Sequence, residues 1–323
     1  SQLVSTNPSR NYAPVGSVEV STPEEVHAKV QAAHAAKDAW RDLGVAGRIA
    51  LLREVSQGLA DVRERFARTQ AEEGGMIITK SRANFDAALR FFNSYLDTGE
   101  AYLAPVVTFE DAHEIHQVFY EPYGVAACIV PWNFPLSNWV WQCGQLLVAG
   151  NTVVFKHSEE TPLCGKIIEE VLTRVLPAGV FSEVYGDGSV GAQLLQEDID
   201  IVCFTGSSAT GVRIKTAAAS RLLPTRMELG GSAPGVIFAD ADVDAILPAV
   251  YGARFTVCGQ MCDALKRLIV HESRIDEVTE KLAALVESKR IGDALDEASE
   301  FGPLVAKRQL ELLEGQVADA VAK

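Results

Sequence analysis

Apolar side chains recur at helical spacing through the first third of the chain. Val26, Val30, Ala33 and Trp40 follow Thr22-Pro23-Glu24-Glu25, a capping box with proline at the first helical position. Ile49, Leu52, Val55, Leu59, Val62 and Phe66 mark a second helix face, and Phe85, Leu89, Phe92 and Leu96 a third that stops before Pro105. Such stripes are the core-facing surfaces of amphipathic helices. Residues 106–123 change character: two short runs of β-formers flank Asp111-Ala112-His113-Glu114, which predicts a hairpin.

From Gly124 onward short apolar runs alternate with helical patterns. Strands are predicted near 124–130, 151–156, 181–185, 200–205 and 234–238, with helices near 136–149, 162–175, 189–197 and 209–219. That rhythm requires parallel pairing and predicts an α/β fold with a doubly wound sheet. After residue 240 a helix, a strand at Leu265–His271 and a helix at Asp276–Lys289 continue it. Ligands of such sheets bind beyond the carboxyl ends of the strands, so the residues just after each strand carry the functional expectation.

Composition narrows the partners. The 323 residues suffice for about two domains. Lys+Arg 29 against Asp+Glu 43 gives a net charge of −14, which repels a phosphate backbone, so nucleic acid is not an expected partner. Apolar runs such as Val125–Pro131 are far shorter than the ~20 residues of a bilayer span, and the opening Ser-Gln-Leu-Val-Ser-Thr lacks a secretory pattern. Six cysteines without Cys-x-x-Cys spacing suit reduced thiols and a cytoplasmic setting. His113-x-x-His116 supplies two ligands where zinc takes about four, so no metal site is expected.

Several strand ends carry unusual residues. In Pro131-Trp132-Asn133-Phe134-Pro135, two prolines bracket an amide. Lys156-His157-Ser158-Glu159 sets a cation and a carboxylate three apart, suited either to a ribose or phosphate or to a surface ion pair. Phe204-Thr205-Gly206-Ser207 leads through a glycine turn into a helix that contains Gly211, a setting for an anion at a helix N-terminus. Met227-Glu228-Leu229-Gly230-Gly231 closes a short apolar segment on a carboxylate; burial there would favour a general base. Last comes Cys258-Gly259-Gln260-Met261-Cys262. Either cysteine could be an inert core thiol, but the Gly-Gln turn points to a loop-held Cys262.

In order and spacing these five segments resemble the aldehyde dehydrogenase superfamily, and the likeness runs to Phe301-Gly302-Pro303-Leu304. The resemblance implies a Rossmann-like NAD(P)-binding domain at 1–105 and 124–231, an oligomerisation hairpin at 106–123 and a partial catalytic domain at 232–323. It implies oxidation of a small-molecule aldehyde to the acid. Cys262 would attack the aldehyde carbon to give a thiohemiacetal, Asn133 and the Cys262 backbone N–H would hold the oxyanion, and Glu228 would activate water against the thioester. Trp132, Lys156, Ser158, Glu159, Gly206, Ser207, Gly211 and Leu229 would form the cofactor site. A carboxylate at Glu159 accepts a ribose 2′-hydroxyl and repels a 2′-phosphate, which favours NAD over NADP. A homodimer or homotetramer is expected through the hairpin.

The departures are specific. Cys258 stands where many members have Asn, a second thiol able to take part in redox regulation. Ser232-Ala233-Pro234-Gly235 replaces a common Lys-Ser-Pro-Asn, and Thr256 stands where members acting on some carboxylate-bearing semialdehydes carry Arg. Members normally continue well past residue 323, into a Glu-x-Phe-Gly-Pro segment, much of the substrate tunnel and a strand that pairs between subunits. The alternative expectation is therefore a catalytically incompetent nucleotide-binding or assembly fragment. A coenzyme A-dependent acylating enzyme is a third, disfavoured by Glu228.

Overall fold

The computed structural model describes residues 1–323. A two-stranded ribbon, β1 (Gln2–Asn7) and β2 (Ala13–Glu19), opens the chain, and the hydropathy pattern does not announce it. Its polarity is inverted: Ser5 and Asn7 are buried while Val4 is half-exposed. Four helices follow: α1 (Pro23–Asp42), α2 (Gly44–Asp61), α3 (Arg63–Gly74) and α4 (Ile78–Leu103). The capping box forms as expected. Thr22 accepts from the Glu25 backbone N–H and the Glu25 carboxylate accepts from that of Thr22, a cap worth about 1 kcal/mol.

The predicted hairpin is β3 (Val106–Glu110) with β4 (Ile115–Val118), antiparallel, Val106 opposite Val118 and Glu110 opposite Ile115. Asp111 makes the turn, its side chain accepting from the backbone N–H groups of His113 and Glu114. Both strands are exposed along their whole length.

Next come β5 (Val125–Ile129), α5 (Pro135–Trp139), a π-helical turn (Val140–Gly144), α6 (Gln145–Ala149), β6 (Thr152–Lys156), α7 (Pro162–Val175), β7 (Phe181–Glu183), α8 (Gly188–Leu194), β8 (Ile201–Gly206), α9 (Ser208–Ala219) and β9 (Thr225–Leu229). The strand order is β7-β6-β5-β8-β9, with β5, β6, β7 and β8 parallel. The chain winds outward from β5 to β7, then crosses back to β8. Right-handed crossovers in opposite directions place helices on both faces, which is the doubly wound arrangement. Burial on both faces explains the unbroken apolar runs of the central strands: Val125–Cys128 and Thr152–Lys156 are buried throughout. The helix predicted over 136–149 is thus interrupted by one wide turn, and the strand at 225–229 was expected only as a short apolar segment.

The chain divides into two compact units. Ser1–Ser5, Gly16–Ala67 and Arg82–Glu228 form the first; Thr6–Val15, Arg68–Ser81 and Leu229–Lys323 form the second. The first unit has one continuous core in which Trp40, Phe66, Phe85, Phe92, Trp139 and Phe155 are fully buried. Arg48 is buried there as well. It donates to Val148 O (3.0 Å), Arg41 O (2.7 Å) and Trp40 O (3.4 Å), satisfying terminal carbonyls of α6 and α1.

In the second unit β10 (Ala233–Ile237) pairs in parallel with β11 (Leu265–Val270). The helices are α10 (Val243–Phe255), α11 (Ile275–Glu287) and α12 (Lys307–Ala322). A small core of Ile237, Val243, Leu247 and Val278 joins the strands to α10 and α11. Val236 and Ile269 on the strands stay exposed. No helix of the chain is long and apolar enough to cross a membrane.

Candidate active site

Three of the singled-out segments leave the first unit's sheet at one edge. Ile129 at the end of β5 is registered against Lys156 of β6 and Phe204 of β8. Residues 130–133, 156–159 and 205–207 therefore emerge side by side where the strand order reverses, the position at which doubly wound sheets bind ligands.

Lys156 is buried rather than part of a surface ion pair. Its ammonium donates to His157 O (3.2 Å), the one protein acceptor within hydrogen-bond distance, which suits it to receive oxygens of a bound group. Burial lowers its pKa, opposed by the charges of Glu159, Asp187 and Glu183. Ser158 is also buried. Its hydroxyl donates to Glu159 Oε2 (3.4 Å) and accepts from the Glu160 N–H (3.3 Å), so it orients the neighbouring carboxylate.

Ser207 is the N-cap of α9, its side chain accepting from the Thr210 N–H (3.2 Å). Gly206 has a packing reason to be glycine, since a Cβ there would run into the ring of Phe204, and Gly211 is buried in the first turns of α9. Trp132 and Asn133 stand half-buried after β5. Asn138 donates to Asn133 Oδ1 (3.4 Å) and to Pro131 O (3.5 Å), which turns the Asn133 amide nitrogen away from Asn138.

Glu228 departs from expectation. Flanking apolar residues suggested burial, yet its side chain is exposed, on the opposite face of the edge strand β9 from half-buried Met227 and Leu229. Leu229 next to it is half-buried.

The second unit holds the cysteine loop. Cys262 is exposed, and it is the only one of the six cysteines that is: Cys128, Cys143, Cys164 and Cys203 are buried and Cys258 is half-buried. The Gly231 N–H donates to Cys262 O (3.1 Å), and a Cβ on Gly231 would press on that carbonyl. The glycine pair and the cysteine loop of the sequence motifs thus meet through the backbone. Val257 and Cys258 both adopt positive φ (50° and 57°), a strained conformation for side-chain-bearing residues. The Cys258 thiol donates to Gly302 O (3.0 Å), and burial pushes its pKa up to about 11. Such a thiol is protonated and engaged, which disfavours it as a redox partner. Thr256 is occupied too, donating to Gly252 O (2.7 Å).

Two features escaped sequence reasoning. The π turn brings buried Gln142 to Thr205, Nε2 donating to Oγ1 at 2.7 Å, and nothing in the local pattern marks it. Buried His157 contacts buried Glu183 across neighbouring strands, a pairing 26 residues apart in sequence.

The sequence model of the aldehyde dehydrogenase family matches residues 1–323. This chain belongs to the aldehyde dehydrogenase family. It is 32% identical over 321 residues to the succinate-semialdehyde dehydrogenase [NADP(+)] GabD of Escherichia coli (strain K12), covering 98% of this chain and 66% of that protein. Over 300 residues it is 35% identical to the alpha-ketoglutaric semialdehyde dehydrogenase of Bacillus subtilis (strain 168), covering 92% and 62%. Among solved structures it resembles PnpE in complex with nicotinamide adenine dinucleotide, with a TM-score of 0.95, 33% identity and coverage of 100% of this chain and 66% of that one. The chain spans about two thirds of the length of these relatives. They include one named for NADP and one crystallised in complex with nicotinamide adenine dinucleotide.

Proposed function

We propose that the chain carries the dinucleotide site and the nucleophile of an NAD(P)-dependent aldehyde dehydrogenase, the first unit as cofactor domain and the second as part of the catalytic domain. The observation that carries this is the exposure of Cys262 alone among six cysteines, on a loop pinned by Gly231. A nucleophilic thiol must be reachable and held; four of the others are buried, and Cys258 is half-buried with its thiol engaged by Gly302 O.

In this reading Lys156 and Glu159 hold the adenosine ribose, Gly206, Ser207 and Gly211 present the α9 N-terminus to the pyrophosphate, and Trp132 and Leu229 border the nucleotide. The Cys262 thiolate adds to the aldehyde carbon, and the Asn133 amide and the Cys262 N–H donate to the oxyanion of the thiohemiacetal. The bound nicotinamide supplies the hydride acceptor. Glu228, open to solvent, takes a proton from water as it adds to the Cys262 thioester, and collapse releases the carboxylic acid and the thiolate. The Glu159 carboxylate favours NAD, because it accepts from a 2′-hydroxyl and repels a 2′-phosphate. The hairpin β3–β4, exposed along both strands, is the proposed subunit contact of a homodimer or homotetramer.

Reduced-nicotinamide formation across aliphatic, aromatic and carboxylated aldehydes tests the activity, with Cys262→Ala and Glu228→Gln as controls. Loss of turnover in both is expected; unchanged turnover in Cys262→Ala overturns the mechanism. A second reading, dinucleotide binding without turnover, is favoured by the two-stranded β10–β11 sheet, whose Val236 and Ile269 remain exposed. Stoichiometric NAD binding with no reduced product on any aldehyde selects it.

A further inference from the structure

The chemistry above leaves a buried ionisable pair unused. His157 follows Lys156 directly at the end of β6, and Glu183 ends β7 on the neighbouring strand. The imidazole Nδ1 and Glu183 Oε1 are in hydrogen-bond contact, with side-chain exposures of 1% and 0%. The surroundings are built for this contact. The Phe155 ring lies 4.8 Å from the imidazole, and Lys29 of α1 donates to the Glu183 backbone carbonyl. On α7, Gly165 leaves the room: any Cβ there would overlap Glu183 Oε1 and His157 Nδ1.

Stability alone does not account for the pair. Two polar groups at this depth lose their hydration, and His157 Nε2 and Glu183 Oε2 find no partner in return. Apolar side chains of similar volume commonly serve a core as well or better. What the pair does supply is reach. The β6–β7 ladder ends with Phe155 opposite Glu183. The side-chain contact carries the tie one residue further, to the peptide whose carbonyl accepts from the Lys156 ammonium (3.2 Å) and from which Ser158 and Glu159 follow.

We propose that His157 and Glu183 are positioning residues for the dinucleotide, clamping the turn that bears Lys156 and Glu159 so that both meet the adenosine ribose. This rests on the cofactor assignment under Proposed function. Neither residue touches the cofactor; each acts through the backbone of residues 156–159. The partner of such a clamp can lose its charge without harm, provided the hydrogen bond to the imidazole survives.

The test is calorimetric titration of the whole chain with NAD+ and ADP-ribose, alongside thermal unfolding. Glu183→Gln keeps an acceptor for the imidazole and is expected to bind within about twofold of wild type, whereas the double variant His157→Leu/Glu183→Met, apolar and of similar volume, is expected to raise both Kd values by about tenfold or more with the unfolding midpoint held, as loss of a supporting partner does elsewhere. A folded double variant with wild-type Kd overturns the clamp, as does a loss in Glu183→Gln equal to that of the double variant. Gly165→Ala provides an independent arm, pushing the pair apart without removing either group. A raised Kd in folded protein is expected, and an unchanged one counts against the clamp. Wild-type protein that binds neither ligand overturns the cofactor assignment itself and the clamp with it; wild-type binding with unaffected variants overturns the clamp alone.

Discussion

Two cysteines four residues apart compete for the proposed role of nucleophile, and their environments predict very different reactivity. Alkylation of the native protein by iodoacetamide, quantified by peptide mass spectrometry, separates them. Cys258 has a thiol pKa of about 11, raised by burial, so at pH 8 about one molecule in a thousand carries its thiolate. Its Sγ–H is also engaged by Gly302 O at 3.0 Å, and the side chain is half-buried, so the true rate falls below that fraction. The Cys262 side chain is exposed. One equivalent of label is expected on Cys262, with Cys258 slower by about 10³ than a fully ionised thiol and gaining about tenfold per pH unit as pH rises toward 11. Equal labelling of the two at pH 8, or a Cys258 rate that does not respond to pH, would refute the reasoning and remove the ground for choosing Cys262.

Other consequences are equally direct. Asn133→Ala removes one of the two proposed oxyanion donors and is expected to lower kcat by about 10²–10³ with little change in cofactor Kd; an unchanged kcat argues against the amide's role. Arg48→Met leaves carbonyls of two helix ends without their donor and is expected to cost about 3 kcal/mol or more, seen as a fall of about 6–12 °C in the first unit's calorimetric transition. Glu183 has its pKa raised above 4.5 by burial, against the pull of His157. Its protonated form therefore favours folding: that contribution is full below pH 4.5 and is lost as pH rises through the raised value. Urea midpoints measured across that range are expected to slope downward in wild type and less so in Glu183→Gln; parallel slopes would show that Glu183 does not titrate there.

What the sequence made legible follows from how local each signal is. The Thr22 cap, the first and third helix stripes and the hairpin turn at Asp111 are decided within a few residues and formed where the pattern put them, whereas the second stripe, Ile49 to Phe66, is broken at Val62 between α2 and α3. The alternation of short apolar runs with helical patterns placed β5 and β6 in a parallel sheet, and their burial on both faces accounts for the unbroken runs. Signals of opposite polarity were invisible: β1 buries Ser5 and Asn7, and alternation rules read such residues as loop. The exposure of Glu228 follows from its place on the outward face of β9, which its apolar neighbours on the other face do not reveal. The order of the five motifs was enough to place the chain in its family, while the support beneath them, Gln142 under Thr205 and Glu183 beside His157, joins residues 63 and 26 positions apart.

The wide turn at Val140–Gly144 has a consequence for how this helix can vary among descendants of one ancestor. A helix gains a turn of this kind when it takes in one extra residue, and the surplus is absorbed locally. Anywhere else in α5 or α6, losing one residue would swing everything on one side of the deletion by about 100° and turn buried faces to water. Within 140–144 the same loss restores ordinary α geometry and leaves both flanks facing as before, at the expense of the Gln142–Thr205 bond. The segment is a register buffer, the one stretch between Pro135 and Ala149 where chain length can change by a single residue without turning either flank.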